Sequence, residues 1–329
     1  VSQMADSPIF VVGCPRSGTK LIRDLLRSHS NITFPPESHF IPRLYKLYGN
    51  PRNESEAVKI AAAILDIHWV RRFGLSLDPS SFSGCCSYGE IVSAIFGEWA
   101  RLDGKPRWGD KTPQYLTDIP ALVEIFPDCR IIHIYRDGRD LALSLMKQWF
   151  GPGNVYSAAR SWRNMIEKAR SDGRAAGPER YLELRYETLL EWPRESMEEV
   201  CEFIGEPFSE AVLTPNFVER DLNPSKHGGY GTKTEILKGN HGKWRKEMPE
   251  ADRAVFESVA GNLLRELGYE TEGCGRSIAA HEKLFWTVQD YSNFIWKRRN
   301  RIRVKGWLAG ELFLRWASAR GSFKPRDTE

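Results

Sequence analysis

PIFVVGCPRSGTKLIRDLL, residues 8–26, is the stretch on which the fold turns. Its first six residues form a short apolar run, rich in β-branched side chains and closed by Gly13. After a polar turn, Leu21, Ile22, Leu25 and Leu26 recur at helical spacing. The pattern reads as buried strand, turn, helix. Gly13 and Gly18 stand in the G-x-x-x-x-G spacing of a loop whose backbone N–H groups, with the helix N-terminus behind them, cradle an anion. A nucleotide triphosphatase places Lys directly after the second glycine. Here Thr19 comes before Lys20, and the cation is Arg16, inside the loop, where its fork can hold two oxygens of one anion.

The same pattern returns twice. Arg130–Tyr135 (RIIHIY) runs into the turn Arg136-Asp137-Gly138-Arg139 and a helix carrying Leu141, Leu143, Leu145 and Met146, and Tyr181–Leu184 leads into Arg185-Tyr186-Glu187. Strands alternating with helices predict a parallel α/β sheet, whose ligands bind at the carboxyl ends of the strands. Arg136 at a strand end and Ser144, eight residues on, can together hold a second phosphate, and two anion sites imply a nucleotide phosphorylated at two positions. Between the first two strands the sequence reads as mostly helix: one capped by Asn53 and Glu56 and running to about Arg72, another over 88–103. Later helices open at Trp192-Pro193, ending near Ile204, and at Pro249, ending near Gly268. The main domain is expected over 1–272 and a separate extension over 273–329.

These elements resemble the PAPS-dependent sulfotransferases, and most closely the branch that contains the tyrosylprotein sulfotransferases. The residues that carry the likeness are Gly13–Thr19, Arg136–Ser144, Pro36-Glu37-Ser38, Asp110-Lys111-Thr112-Pro113, Arg185-Tyr186-Glu187 and Gly242-Lys243-Trp244. The resemblance implies the sulfotransferase fold, a P-loop-like parallel sheet flanked by helices, and PAPS as sulfuryl donor. It further implies that Arg16, Ser17, Gly18 and Thr19 hold the 5′ phosphosulfate, Arg136 and Ser144 the 3′ phosphate, and that Tyr186 lines the adenine site. Lys243 would approach the phosphates. Glu37 would be the general base, Lys111 would sit near the bridging oxygen, and Arg16 would share the leaving charge with it. In-line sulfuryl transfer asks for these types, because positioning and charge stabilisation supply most of the catalysis and one carboxylate must take the acceptor's proton. No metal is called for. Thr232 and Thr234 are weaker candidates for the sulfuryl group.

The chain departs from that branch at His39, which stands where the branch has arginine, and it lacks the branch's paired cysteines. The acceptor is therefore left open among carbohydrate, lipid-linked, small phenolic and peptide-tyrosine hydroxyls. A nucleotide kinase on the same fold, and a non-catalytic protein that binds a membrane or partner, are the rival readings.

Composition narrows the setting. With 329 residues, 41% hydrophobic and 27% charged, the chain is neither disordered nor a disulfide-stapled module. No run of about 18 apolar residues occurs, and residues 1–8 lack the features of a signal peptide. Six scattered cysteines without a CxxC pair favour a reducing, cytoplasmic setting. The net charge of +4 is uneven: residues 281–329 hold 11 Lys/Arg against 5 Asp/Glu, the rest 36 against 38. In this basic tail, aromatics such as Trp286, Tyr291, Trp307 and Trp316 alternate with cations, so a helical extension is expected that docks, pairs with a second copy or lies peripherally on a membrane. Nucleic acid is not expected, because the body has no basic reading surface.

Overall fold

The computed structural model describes residues 7–216, 236 and 239–302. They fall into two compact units, Val1–Leu141 with Trp162–Lys246, and Ala142–Ser161 with Glu247–Glu329. In chain order the strands are β1 (Ile9–Val12), β2 (Ile32–Thr33), β3 (Arg107–Asp110), β4 (Arg130–Tyr135) and β5 (Tyr181–Arg185). The helices are α1 (Thr19–Arg27), α2 (Ile41–Tyr48), α3 (Glu54–Leu65), α4 (His68–Arg71), α5 (Tyr88–Leu102), α6 (Ile119–Ile125), α7 (Gly138–Met146), α8 (Val155–Ala176), α9 (Tyr186–Glu191), α10 (Pro193–Ile204), α11 (Trp244–Glu247), α12 (Glu250–Glu266) and α13 (Ala280–Ile302).

The first unit holds a five-stranded sheet in the order β2-β3-β1-β4-β5. Every pairing is parallel, with Ile9 opposite Gly109 on one side and Arg130 on the other. Ile9, Phe10, Val11 and Val12 are fully buried, as a central parallel strand covered on both faces must be. Each such side chain contributes about 1.5–3 kcal/mol relative to exposure. Leu25 and Leu26 of α1, Tyr186 and Leu189 of α9, and Met197 and Val200 of α10 close one face of this core.

The parallel α/β architecture matches the sequence reading. The two strands on the β3 side were not visible there. β2 has two residues, and β3 reads Arg-Trp-Gly-Asp, with no apolar run. Arg107 nevertheless lies buried, donating to the carbonyls of Ser7 and Ile204 and pairing with Glu206 at 3.0 Å. Bonding to carbonyls and a carboxylate, rather than apolarity, admits it to the interior.

The Asn53 cap forms as expected, accepting from the Glu56 N–H at 3.0 Å. The helix it opens stops at Leu65 rather than near Arg72. Ile67 turns extended (φ −63°, ψ 131°) and a separate single turn, α4, begins at His68.

In the second unit α13 packs on the loop before α8. Trp286 stacks on Tyr156 at 5.3 Å between ring centroids, and Asn154 donates to the Trp286 carbonyl at 2.8 Å. No helix among the described residues is long and apolar enough to cross a membrane. Thr232, Thr234 and the expected tail beyond Ile302 lie outside the described residues.

Candidate active site

The loop leaving β1 is built around two left-handed residues, Arg16 (φ 78°) and Gly18 (φ 104°), with Ser17 between them. Glycine is required at 18: a Cβ there would stand 2.4 Å from the Tyr186 ring. Arginine at 16 carries a strained backbone, the kind that persists where a binding loop over-determines it. The Ser17 N–H donates to the Cys14 carbonyl at 3.0 Å, while the Ser17 hydroxyl is fully buried and has no hydrogen-bond partner among the described residues. A buried hydroxyl in that state calls for a partner. Thr19, also buried, opens α1. Cys14 sits in the same loop, but burial pushes its thiol up to about 12, which makes it inert as a nucleophile.

Arg136 emerges at the end of β4. Its guanidinium donates to the Asn240 carbonyl at 2.9 Å and to Asp140 at 3.2 Å, and lies 4.7 Å above the Tyr186 ring. Its Nε is buried without a hydrogen-bond partner among the described residues. Asp140 also accepts from the Trp244 N–H at 2.8 Å, so one carboxylate joins Arg136 to the start of α11. Arg139, paired with Asp137 at 2.8 Å, stacks on Trp244 at 3.5 Å. Tyr186 is buried beneath Gly18 and accepts from Asn240 Nδ2 at 2.9 Å. Lys243 is exposed just before Trp244. Ser144 is half-buried on α7, two turns beyond Arg136, and belongs to the second unit, where its carbonyl accepts from Gln148 at 3.4 Å.

A second cluster joins the β2–α2 loop to the end of β3. The Ser38 N–H donates to Thr112 Oγ1 at 3.1 Å, the Ser38 and Tyr115 hydroxyls bond at 2.7 Å, and the Ile41 N–H donates to the Tyr115 hydroxyl at 2.9 Å. These bonds hold Glu37, whose side chain is 33% exposed, against Lys111, and the two form an ion pair. The other Glu37 oxygen meets His39 Nε2 at 3.0 Å, with His39 itself in a left-handed conformation (φ 58°). Burial alone would raise the Glu37 carboxyl. The Lys111 charge and then the His39 contact outweigh it and hold the group well below the usual carboxylate range. Behind this pair, burial pushes the Asp110 carboxyl up to about 6, against the pull of the Ser38 and Thr112 hydroxyls. The His39 ring lies 5.6 Å from that of Trp69, which is 40% exposed on α4.

The first unit thus gathers Arg16, Ser17, Gly18, Thr19, Glu37, Lys111, Arg136 and Tyr186 at the carboxyl ends of β1, β2, β3, β4 and β5. Sequence reading assigned no role to Asp110 or Asp140, which it met only inside motifs, and missed Asn240 and Trp69. Asp140, four residues after Arg136 on the turn that opens α7, had a readable signal, whereas Trp69 had none while α3 was drawn straight to Arg72. Among the described residues no group of three His, Cys, Asp or Glu side chains could hold a metal ion.

Comparison with known proteins bears on the family of the chain. The family model described as "Sulfotransferase family" matches residues 8–210. A protein-tyrosine sulfotransferase of Drosophila melanogaster is 27% identical over 211 residues, 62% of this chain and 39% of that protein. Protein-tyrosine sulfotransferase A of Caenorhabditis elegans is 26% identical over 272 residues, covering 80% of this chain and 67% of that one. The sulfotransferase domain of a Synechococcus olefin synthase superposes with a TM-score of 0.56 at 24% identity, over 80% of this chain and 96% of that domain. The chain belongs to the sulfotransferase family. It spans well under half of the Drosophila relative's length and about two thirds of the Caenorhabditis one's.

Proposed function

We propose that the chain moves a sulfuryl group from PAPS to an acceptor hydroxyl, with Glu37 as general base. The observation that carries the reading is the Glu37–Lys111 ion pair at the same sheet edge as the Arg16 loop and Arg136. Two buried groups without partners among the described residues, the Ser17 hydroxyl and Arg136 Nε, fit a donor with phosphate at two positions. PAPS brings the activated sulfuryl group and leaves as 3′-phosphoadenosine 5′-phosphate. The backbone of residues 16–19, with Arg16, would bind the 5′ end, and Arg136 would bind the 3′ phosphate. The Tyr186 ring would border the base, and Lys243 would add charge from the C-terminal side. The acceptor oxygen forms the new S–O bond while the bond to the 5′ phosphate breaks. The acceptor proton passes to a Glu37 oxygen, and Lys111 and Arg16 meet the charge on the leaving phosphate. Glu37 held low is ionised throughout the neutral range, the form a general base requires.

The acceptor side supports a hydroxyl carried on a ring. Trp69 presents an exposed indole beside His39, and His39 touches Glu37, so a flat apolar ring face lying on Trp69 would bring its hydroxyl toward the base. The test uses labelled PAPS with 4-nitrophenol, methyl β-glucopyranoside and 1-hexanol. Transfer to a ring acceptor, with KM raised about tenfold in Trp69→Ala, is the expected outcome. Equal transfer to hexanol, or no effect of Trp69→Ala, would refute the ring reading. Absence of transfer together with absence of PAPS binding would refute the function itself.

A further inference from the structure

Helix α13 has its surface the wrong way round for a helix that only packs on its own chain. Trp286, Gln289, Asp290 and Asn293 face the loop at 153–156: Trp286 stacks on Tyr156, Gln289 meets Asn154 at 3.1 Å, Asp290 accepts from the Gly153 N–H, and Asn293 closes over Gly153. At 100° per residue these four share one side of the helix. Leu284, Val288, Tyr291 and Ile295 recur at i, i+4, i+7 and i+11 and share the opposite side, where their exposures are 65%, 56%, 66% and 48%. Phe285, 63% exposed, flanks them. The mostly polar side is therefore the docked one, and a continuous apolar stripe faces outward.

We infer that this stripe is a docking surface for an anionic lipid membrane. An exposed apolar stripe of this extent marks an interaction site. The charge that follows it selects the occupant. Lys297, Arg298, Arg299, Arg301, Arg303 and Lys305 come directly after the stripe, in a tail whose charge is +6 while the rest of the chain is −2. Apolar residues along one helix face with a basic cluster at the end are the makings of an interfacial helix on anionic headgroups. A second copy pairing in parallel would bring the same cations against its own. The inference does not depend on the sulfotransferase reading, because every residue in it lies in the second unit.

The experiment is co-sedimentation of the full chain with vesicles of phosphatidylcholine and phosphatidylglycerol at about 3:1, against phosphatidylcholine alone. The chain is expected to pellet with the anionic vesicles and to be released as salt shortens the Debye length to about 3 Å near 1 M. The triple substitution Leu284→Ser, Val288→Ser, Ile295→Ser should lower partition at least tenfold. It removes exposed apolar groups only, so nucleotide binding and the circular dichroism spectrum should stay as in the parent chain. Replacing Arg298 and Arg299 by Ala should cost about fivefold per cation. Three results would overturn the proposal: no partition of the parent chain, unchanged partition of the triple variant, or a dimer that the triple variant dissolves in the absence of vesicle binding.

Discussion

The two sides of the candidate site are built by opposite means. On the side of Arg16 and Arg136 the frame is mostly backbone: a loop with two left-handed residues, a strand end and the Asn240 carbonyl on Arg136, with Asp140 and the buried Tyr186 ring as the side-chain contacts. On the side of Glu37 they are held by side chains on side chains, Lys111 and His39 on Glu37, Ser38 on Thr112 and Tyr115, and Trp69 on His39. A backbone cradle can accept only the anion shape it was built for. A wall of side chains on a short helix can change its occupant with a single substitution. The difference teaches where specificity can vary within one fold: on the Glu37 side, with the Arg16 and Arg136 side kept fixed.

Substitutions on each side should separate cleanly. Glu37→Gln is expected to have the largest effect, lowering turnover by about 10²–10⁴ while leaving the affinity for 3′-phosphoadenosine 5′-phosphate unchanged. Rapid-quench and calorimetric measurements on the same preparation check both halves. A variant that turns over normally would remove Glu37 from the reaction.

Asp110→Asn probes the buried carboxyl behind the Glu37–Lys111 pair. The folded carboxyl titrates near 6, above the ordinary value of about 3.9, so the native state binds the proton more tightly than the unfolded chain. The stability this group contributes is full below about pH 4 and is lost as pH rises through 6. The substitution should therefore raise unfolding stability by up to about 3 kcal/mol at pH 8 and by nothing at pH 4. His133, held neutral by burial with a value near 3, works the other way and loses stability as pH falls. The comparison must accordingly be between the two chains at each pH, by denaturant unfolding.

Arg136→Ala should weaken binding of 3′-phosphorylated nucleotide by about 1.5–3 kcal/mol, the worth of a hydrogen bond to a charged group. Binding of ADP should barely change. Equal losses for both ligands would move the 3′ phosphate elsewhere.

The geometry of the Arg16 and Arg136 side was legible in the sequence because its parts are local. Strand, G-x-x-x-x-G turn and helix lie within residues 8–26, and each is dictated by backbone geometry that only certain residues permit. Arg136 could be read for the same reason, as the first residue after an apolar strand. Asp140 and Asn240 complete its surroundings from 4 and 104 residues away, and nothing local marks Asn240. On the acceptor side the Glu37 motif could be read, but its setting could not. β3 entered the sheet through a buried, bonded Arg107 that apolar periodicity cannot detect. The break at Ile67, which lifts Trp69 out of the line of α3, depends on one residue leaving the helix. In the second unit the sequence showed that the tail mixes aromatics with cations. Which face of α13 would be docked was decided by residues 153–156, more than a hundred positions away.

Calorimetric titration with 3′-phosphoadenosine 5′-phosphate, ADP and Mg-ATP tests the central claim most directly. The account predicts tight binding of the first ligand without magnesium, and much weaker binding of the other two. A preference for Mg-ATP, or binding of none of the three, would contradict it.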